Sequence, residues 1–119
     1  MGACTIIGTP KVGPSGLADE NVSHGEFSLS ASVAAGGDTL DPSILGLGTL
    51  DRLILGLPRL VSGAAVTTII FPTVRTALPQ RTPTFGGSGQ VKIQAFTATS
   101  SEFTGDGSIY AIPYVAYGA

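Results

Sequence analysis

At 119 residues the chain is long enough for one domain and too short for two of ordinary size. Charged residues make up only 12% of it, against about 25% in an average soluble domain, and the net charge is −2 from six basic and eight acidic residues. The four arginines and two lysines are scattered and there is no tryptophan, which argues against a phosphate-tracking stripe or a base-stacking platform and so against nucleic acid as a partner.

The opening, MGACTIIGTPK, has no basic stretch followed by a long apolar run, so no signal peptide is expected. Ile6 stands where a myristoylation signal takes Ser or Thr. Residues 3–8 read as a short first strand. Cys4, the single cysteine, has no intrachain partner and reads, beside Thr5, Ile6 and Ile7, as a small buried apolar residue. Residues 9–22 are rich in Pro, Gly and charge and read as a loop or arm, with Lys11 and Pro14 as candidate contact residues. Residues 24–34 carry the clearest strand signal: Phe27, Leu29, Ala31 and Val33 share one face, and Glu26, Ser28, Ser30 and Ser32 the other.

Gly36 and Gly37 mark a turn. Asp41 followed by Pro42 is a helix-start signal, because the carboxylate accepts the first free N–H groups and proline lacks one to leave unpaired. Gly46 then stops the helix. Pro42 to Leu45 should therefore be one helical turn that plugs Ile44 and Leu45 into an end of the core. Residues 49–57, TLDRLILGL, read as a buried strand; the leucines suit a helix, but Gly48 and Gly56 oppose it. Residues 65–74 read as a strand placed at an edge or bulge by Pro72, which cannot donate to a ladder. Residues 76–89 form a second Pro/Gly-rich loop, with Pro79, Arg81 and Phe85 as candidate contact residues. Residues 91–98 alternate again as a strand. Asp106-Gly107 signals a hairpin-type turn. The last strand, residues 109–117, carries Tyr110, Tyr114 and Tyr117 and, with Pro113, is expected to cover the core at an edge, its tyrosines near a subunit interface. Apolar stretches reach only about ten residues, short of the ~20 of a membrane-spanning helix, so no membrane segment is expected.

Six to eight short strands and one helical turn define an all-β fold: a single antiparallel β-sandwich, jelly-roll-like, spanning 1–119, with 9–22 and 76–89 as extended loops. Chemistry has little to work with. His24 is the only histidine, and nothing in the sequence pairs it with Cys4 or a serine. A zinc site needs several His or Cys ligands. Asp38, Asp41 and Asp51 do not match a calcium-loop spacing, and turn and cap duty explain Asp38 and Asp41. FGGSGQ, residues 85–90, precedes a strand where a phosphate cradle needs a helix. No enzyme activity, cofactor or metal is expected. The low charge instead suggests a surface largely covered by neighbours, since a chain that stays monomeric usually coats itself in Lys, Arg, Asp and Glu.

Residues 31–55, ASVAAGGDTLDPSILGLGTLDRLIL, resemble a pattern in small head proteins of tailed bacteriophages. There a strand leads into a Gly-Gly turn, a Thr-Leu step, a proline, a Leu-Gly-Leu and an apolar strand opening on an acidic residue. Here those elements are Gly36, Gly37, Thr39, Leu40, Asp41, Pro42, Leu45, Gly46, Leu47 and Asp51; residues 115–118 resemble the closing strand of that group, while the 76–89 loop departs from it. The resemblance implies a capsid decoration, or cement, protein on the virion exterior. Its partner would be the major capsid protein, and it would assemble as a homo-oligomer, a trimer in many such proteins. Two other readings stay open: a different virion β module, such as a head–tail connector, a tail-fibre part or a capsid subunit, and a carbohydrate-binding β-sandwich using the tyrosines of the last strand.

Overall fold

A computed structural model describes residues 2–16, 20–50, 52–61, 69–75 and 91–119. Two antiparallel sheets share one core. The larger is built from β1 (Thr5–Pro14), β2 (Asn21–Ser28), β8 (Tyr110–Gly118) and β4 (Arg52–Leu55) in the order β1-β2-β8-β4, with the two-residue β5 (Arg59–Leu60) also paired to β8. The smaller has the order β3-β7-β6, from β3 (Asp38–Leu40), β7 (Val91–Thr97) and β6 (Ile70–Arg75). From β2 onward the pairing is nested: β2 lies against β8 and β3 against β7. This is the wrapping of a jelly roll, with β1 added outside it. Phe27, Ile112 and Tyr114 from one sheet meet Leu40, Ile70, Val91, Ile93 and Ala95 from the other in a continuous buried cluster.

The N-terminal segment ties the sheets together. Cys4 N–H donates to the Thr39 carbonyl (2.8 Å) and Thr39 N–H to the Gly2 carbonyl (3.1 Å), so the chain starts in parallel contact with β3 and then crosses to the edge of the larger sheet. There β1 runs on through residues 9–14, where a loop was expected. Lys11 lies opposite His24 and Pro14 opposite Asn21, past a bulge between Ile7 and Lys11 where Gly8 takes a φ of 72°. Pro10 and Pro14 are tolerated because β1 is an edge strand with one neighbour.

The alternating segment 24–34 is a strand only up to Ser28. Beyond it the backbone is claimed by a buried carboxylate: Asp38 accepts from Ser30 N–H (2.7 Å) and Ala34 N–H (3.0 Å). Leu29 and Val33 still enter the core, while Ala31 is exposed. Gly36 and Gly37 turn the chain with φ of 88° and 106°. A side chain at Gly37 would also press on the Ile93 carbonyl at 2.7 Å. The helical turn forms as expected, as a 3-10 turn over Pro42–Leu45 with Asp41 accepting from Ser43 N–H (3.0 Å) and Gly46 closing it at φ 80°. Leu45 is fully buried, and Ile44 packs against the core from a half-buried position.

Three further expectations are corrected. Segment 49–57 is not a buried strand: β4 is the edge of the larger sheet, with Leu53 and Leu55 half-buried and Ile54 and Leu57 open to solvent. Asp106-Gly107 is not a hairpin turn: Asp106 caps a 3-10 turn over Gly107–Ile109, and the chain reverses earlier, where Ser100 N–H donates to the Thr97 carbonyl (2.9 Å). The last strand is not at an edge. β8 is central, with β2 on one side and β4 and β5 on the other. Pro113 is accommodated there because its carbonyl, and so its donorless nitrogen, faces the Gly56–Pro58 break between β4 and β5, where Gly56 N–H donates to it (2.9 Å). Pro72 lies on the edge strand β6, as its chemistry requires, and β7 buries Val91, Ile93 and Ala95 while exposing Lys92. The 76–89 loop lies outside the described residues.

Candidate interaction surface

The groups able to do chemistry are dispersed. Among the described residues no three His, Cys, Asp or Glu side chains gather as a metal site would require. His24 is exposed on the outer side of β2, between Lys11 on β1 and Val115 on β8. Cys4 is buried, and burial, reinforced by the charge of Asp38, pushes its thiol far above the usual range, so it stays protonated and inert as a nucleophile.

The motif residues of segment 36–47 build the fold rather than a site. Leu40, Leu45 and Leu47 are core, Pro42 is buried beneath them, and Asp41 and Gly46 cap the 3-10 turn. Thr39 faces outward and accepts from Lys92 Nζ (2.9 Å). Asp51 lies outside the described residues, as do Pro79, Arg81 and Phe85. Of the candidate contact residues, Lys11 and Pro14 are exposed, but on a paired strand. Tyr110 and Tyr114 are corrected from interface to core: each is only 3% exposed. Tyr114 packs on Phe27 with ring centroids 5.9 Å apart, and its hydroxyl shares a hydrogen bond with Ser23 Oγ (2.9 Å), which in turn donates to the Leu45 carbonyl (2.7 Å). Burial raises the Tyr114 hydroxyl above its ordinary pKa, an effect the Ser23 bond partly offsets. Tyr117 is half-buried on the outer face, with the Arg52 guanidinium 4.1 Å above its ring.

Two arginine–glutamate pairs frame that outer face. Arg59 on β5 donates twice to Glu26 on β2, both at 2.8 Å, and so arches over β8 between them. Arg52 reaches Glu20 at 3.5 Å. The Arg59 hydrogen bonds hold the Glu26 carboxyl below its ordinary value, outweighing an opposing effect of burial. A lowered folded-state value means that the pair's contribution is complete above the ordinary glutamate pKa of ~4.3 and is lost as pH falls through the lowered value. The contribution is small because the Arg59 side chain is open to water and Glu26 is only partly covered. In an Arg59→Gln variant, the Glu26 carboxyl carbon followed by NMR should titrate at a higher pH than in the wild type. An unchanged midpoint would show that the pair does not form in solution.

Apolar exposure is concentrated in one stretch of the sequence. Among the described residues eight large apolar side chains are exposed; Val12 is on β1, and the other seven fall between residues 54 and 74. Leu57, Ile69 and Ile54 are the most open, at 69%, 61% and 58%. β4 and β5 share the same side of β8, and β4 approaches β6, so the two sheets end together here. A shallow groove of about 200 Å³ opens at the β4–β5 break, lined by Ile54, Leu55, Gly56, Pro113, Tyr114 and Val115. Sequence reading missed this surface by taking the leucines as core. The legible signal was the punctuation by Arg52, Gly56, Pro58 and Arg59, which a buried central strand would not carry. Comparison with protein-family models, with curated proteins and with solved structures found no match to this chain.

Proposed function

We propose that this chain is a structural virion protein: a capsid decoration protein that sits on the outer shell of a tailed bacteriophage, assembles as a homo-oligomer, a trimer in the simplest case, and bridges neighbouring major capsid subunits. The observation that carries the reading is a charge-poor β domain with exposed apolar side chains on β4, β5 and β6, in which Asp38 supports the backbone, Asp41 and Asp106 cap 3-10 turns and Arg59 pairs with Glu26. Such a surface works by contact area. Many weak contacts on a repeating shell add up, because each contact after the first is intramolecular. The 31–55 resemblance points to the same class, and no catalytic role is part of the reading.

Purified chain added to shells stripped of minor proteins should cosediment with them at hundreds of copies per particle. Absence from the pellet would overturn the proposal, and saturation at a few to a dozen copies would move it to a connector or fibre module. A carbohydrate-binding role loses ground because Tyr110 and Tyr114 are buried and Tyr117 lies under Arg52.

A further inference from the structure

We propose that this chain is processed between Met1 and Gly2, and that the α-ammonium group left on Gly2 pairs with the buried Asp38 carboxylate. The inference goes beyond the shell-binding reading and does not rest on it. Hydrolysis adds water across the peptide bond: Met1 departs with the new carboxylate, and Gly2 keeps the nitrogen, which takes up a proton. The enzyme class required is an aminopeptidase that removes methionine ahead of a small residue, and glycine is the smallest. Ile6 stands where an acylated N-terminal glycine takes Ser or Thr further along, so the freed amine keeps its charge.

The seat for that charge is already in place. Gly2 is buried, and it is held in position by Thr39 N–H donating to its carbonyl (3.1 Å) and Cys4 N–H donating to the Thr39 carbonyl (2.8 Å). A Cβ placed on Gly2 would overlap Asp38 Oδ1. A Cβ stands ~2.5 Å from the nitrogen of its own residue, so the Gly2 nitrogen lies within about 4 Å of that oxygen, which is ion-pair range.

Asp38 has capacity for the pairing. Its Oδ1 accepts from Ala34 N–H (3.0 Å) and its Oδ2 from Ser30 N–H (2.7 Å), which leaves lone pairs over on both oxygens. The side chain has no exposed surface, and among the described residues the salt bridges are Arg52–Glu20 and Arg59–Glu26, neither of which involves it. A carboxylate buried without a counter-charge is costly, and an ammonium beside it offsets that cost. Ser30 Oγ lies 2.8 Å from the same Cβ position and gives its hydrogen to the Ser32 carbonyl (2.9 Å), so its lone pairs face the ammonium as a second acceptor. With Met1 attached, the same nitrogen is a neutral amide with one donor.

The test is a cycle of four chains, beginning at Met1 or at Gly2 and carrying Asp38 or Asp38→Asn, compared by urea unfolding near pH ~6, where both groups are charged. Removing Met1 should raise the folded-to-unfolded ratio by roughly tenfold or more with Asp38 and by less than about twofold with Asp38→Asn. Equal stability of the two Asp38 chains overturns the proposal, as does a gain that survives in Asp38→Asn. Should Asp38→Asn fail to fold, titration of the ¹⁵N-labelled Gly2 amine in the processed wild type decides. Asp38 is the charged group that faces it, and the Cys4 thiol stays protonated through this range. A midpoint above the ~8 of a free α-amino group supports the pair, and one at or below it, the result of burial alone, sinks it. The intact mass of the chain expressed from Met1 should lack the methionine; full retention, in cells that remove it from other Met-Gly chains, overturns the processing step.

Discussion

Replacing Phe27 by alanine is expected to lower the unfolding free energy by about 3–5 kcal/mol, as large-to-small changes at filled core sites do. Phe27 is fully buried on β2, opposite Ile112 of the central strand, and its ring meets Tyr114 at 5.9 Å and an interplanar angle of 50°. Its loss removes apolar burial and an aromatic contact together, at the place where β2 and β8 close the larger sheet over the core. A chain of this size has a total stability of ~6–18 kcal/mol, so the variant should sit near its unfolding limit at moderate temperature. In urea the midpoint should fall with the slope unchanged. A loss under 1 kcal/mol would mean that the core does not close around this ring.

The second large effect is expected at Asp38. This carboxylate has no exposed surface and accepts from two backbone amides, Ser30 N–H and Ala34 N–H. Gly2 packs so closely on it that a side chain there would run into the carboxylate, so Asp38 also positions the N-terminal crossing between the sheets. Asp38→Ala leaves both amides without their acceptor and should cost about 3 kcal/mol, at ~1–3 kcal/mol for each stranded group. Asp38→Asn keeps one acceptor oxygen but turns an NH₂ donor toward the other amide, and should lose roughly half as much. Chemical unfolding of the two variants beside the wild type checks the order. Equal losses would mean that only one of the two hydrogen bonds contributes to stability.

What could be read from the sequence is what local chemistry decides. The Asp41-Pro42 start and Gly46 stop of the 3-10 turn lie within a few residues of one another, so their geometry needs no distant partner. The inward set Val91, Ile93 and Ala95 follows from a period of two, and the edge position of β6 from the missing donor of Pro72. The site was less legible. Tyr110 and Tyr114 were expected at an interface because a polar tip suggests a wet surface, yet a phenol can be buried if its hydroxyl finds a partner, and Ser23, 91 residues away, is that partner for Tyr114. Apolar runs are ambiguous in the opposite sense. RLIL in β4 has the composition of a core strand and is an edge because, among the described residues, no strand pairs with its outer side.

By itself, then, the sequence determined an all-β antiparallel fold, the caps, the turn at Gly36 and Gly37, and a surface poor in charge. Each of these is a property of neighbouring residues or of composition. Only the tertiary structure decided that β8 is central, that residues 9–14 extend an edge strand, that Asp38 ends β2 by taking its following amides, and that Ile54 of β4 and Phe71 of β6 are exposed rather than core. Those outcomes depend on which strands pair across the chain, and hydrogen-bond pairing between distant segments leaves no periodic mark on either segment alone.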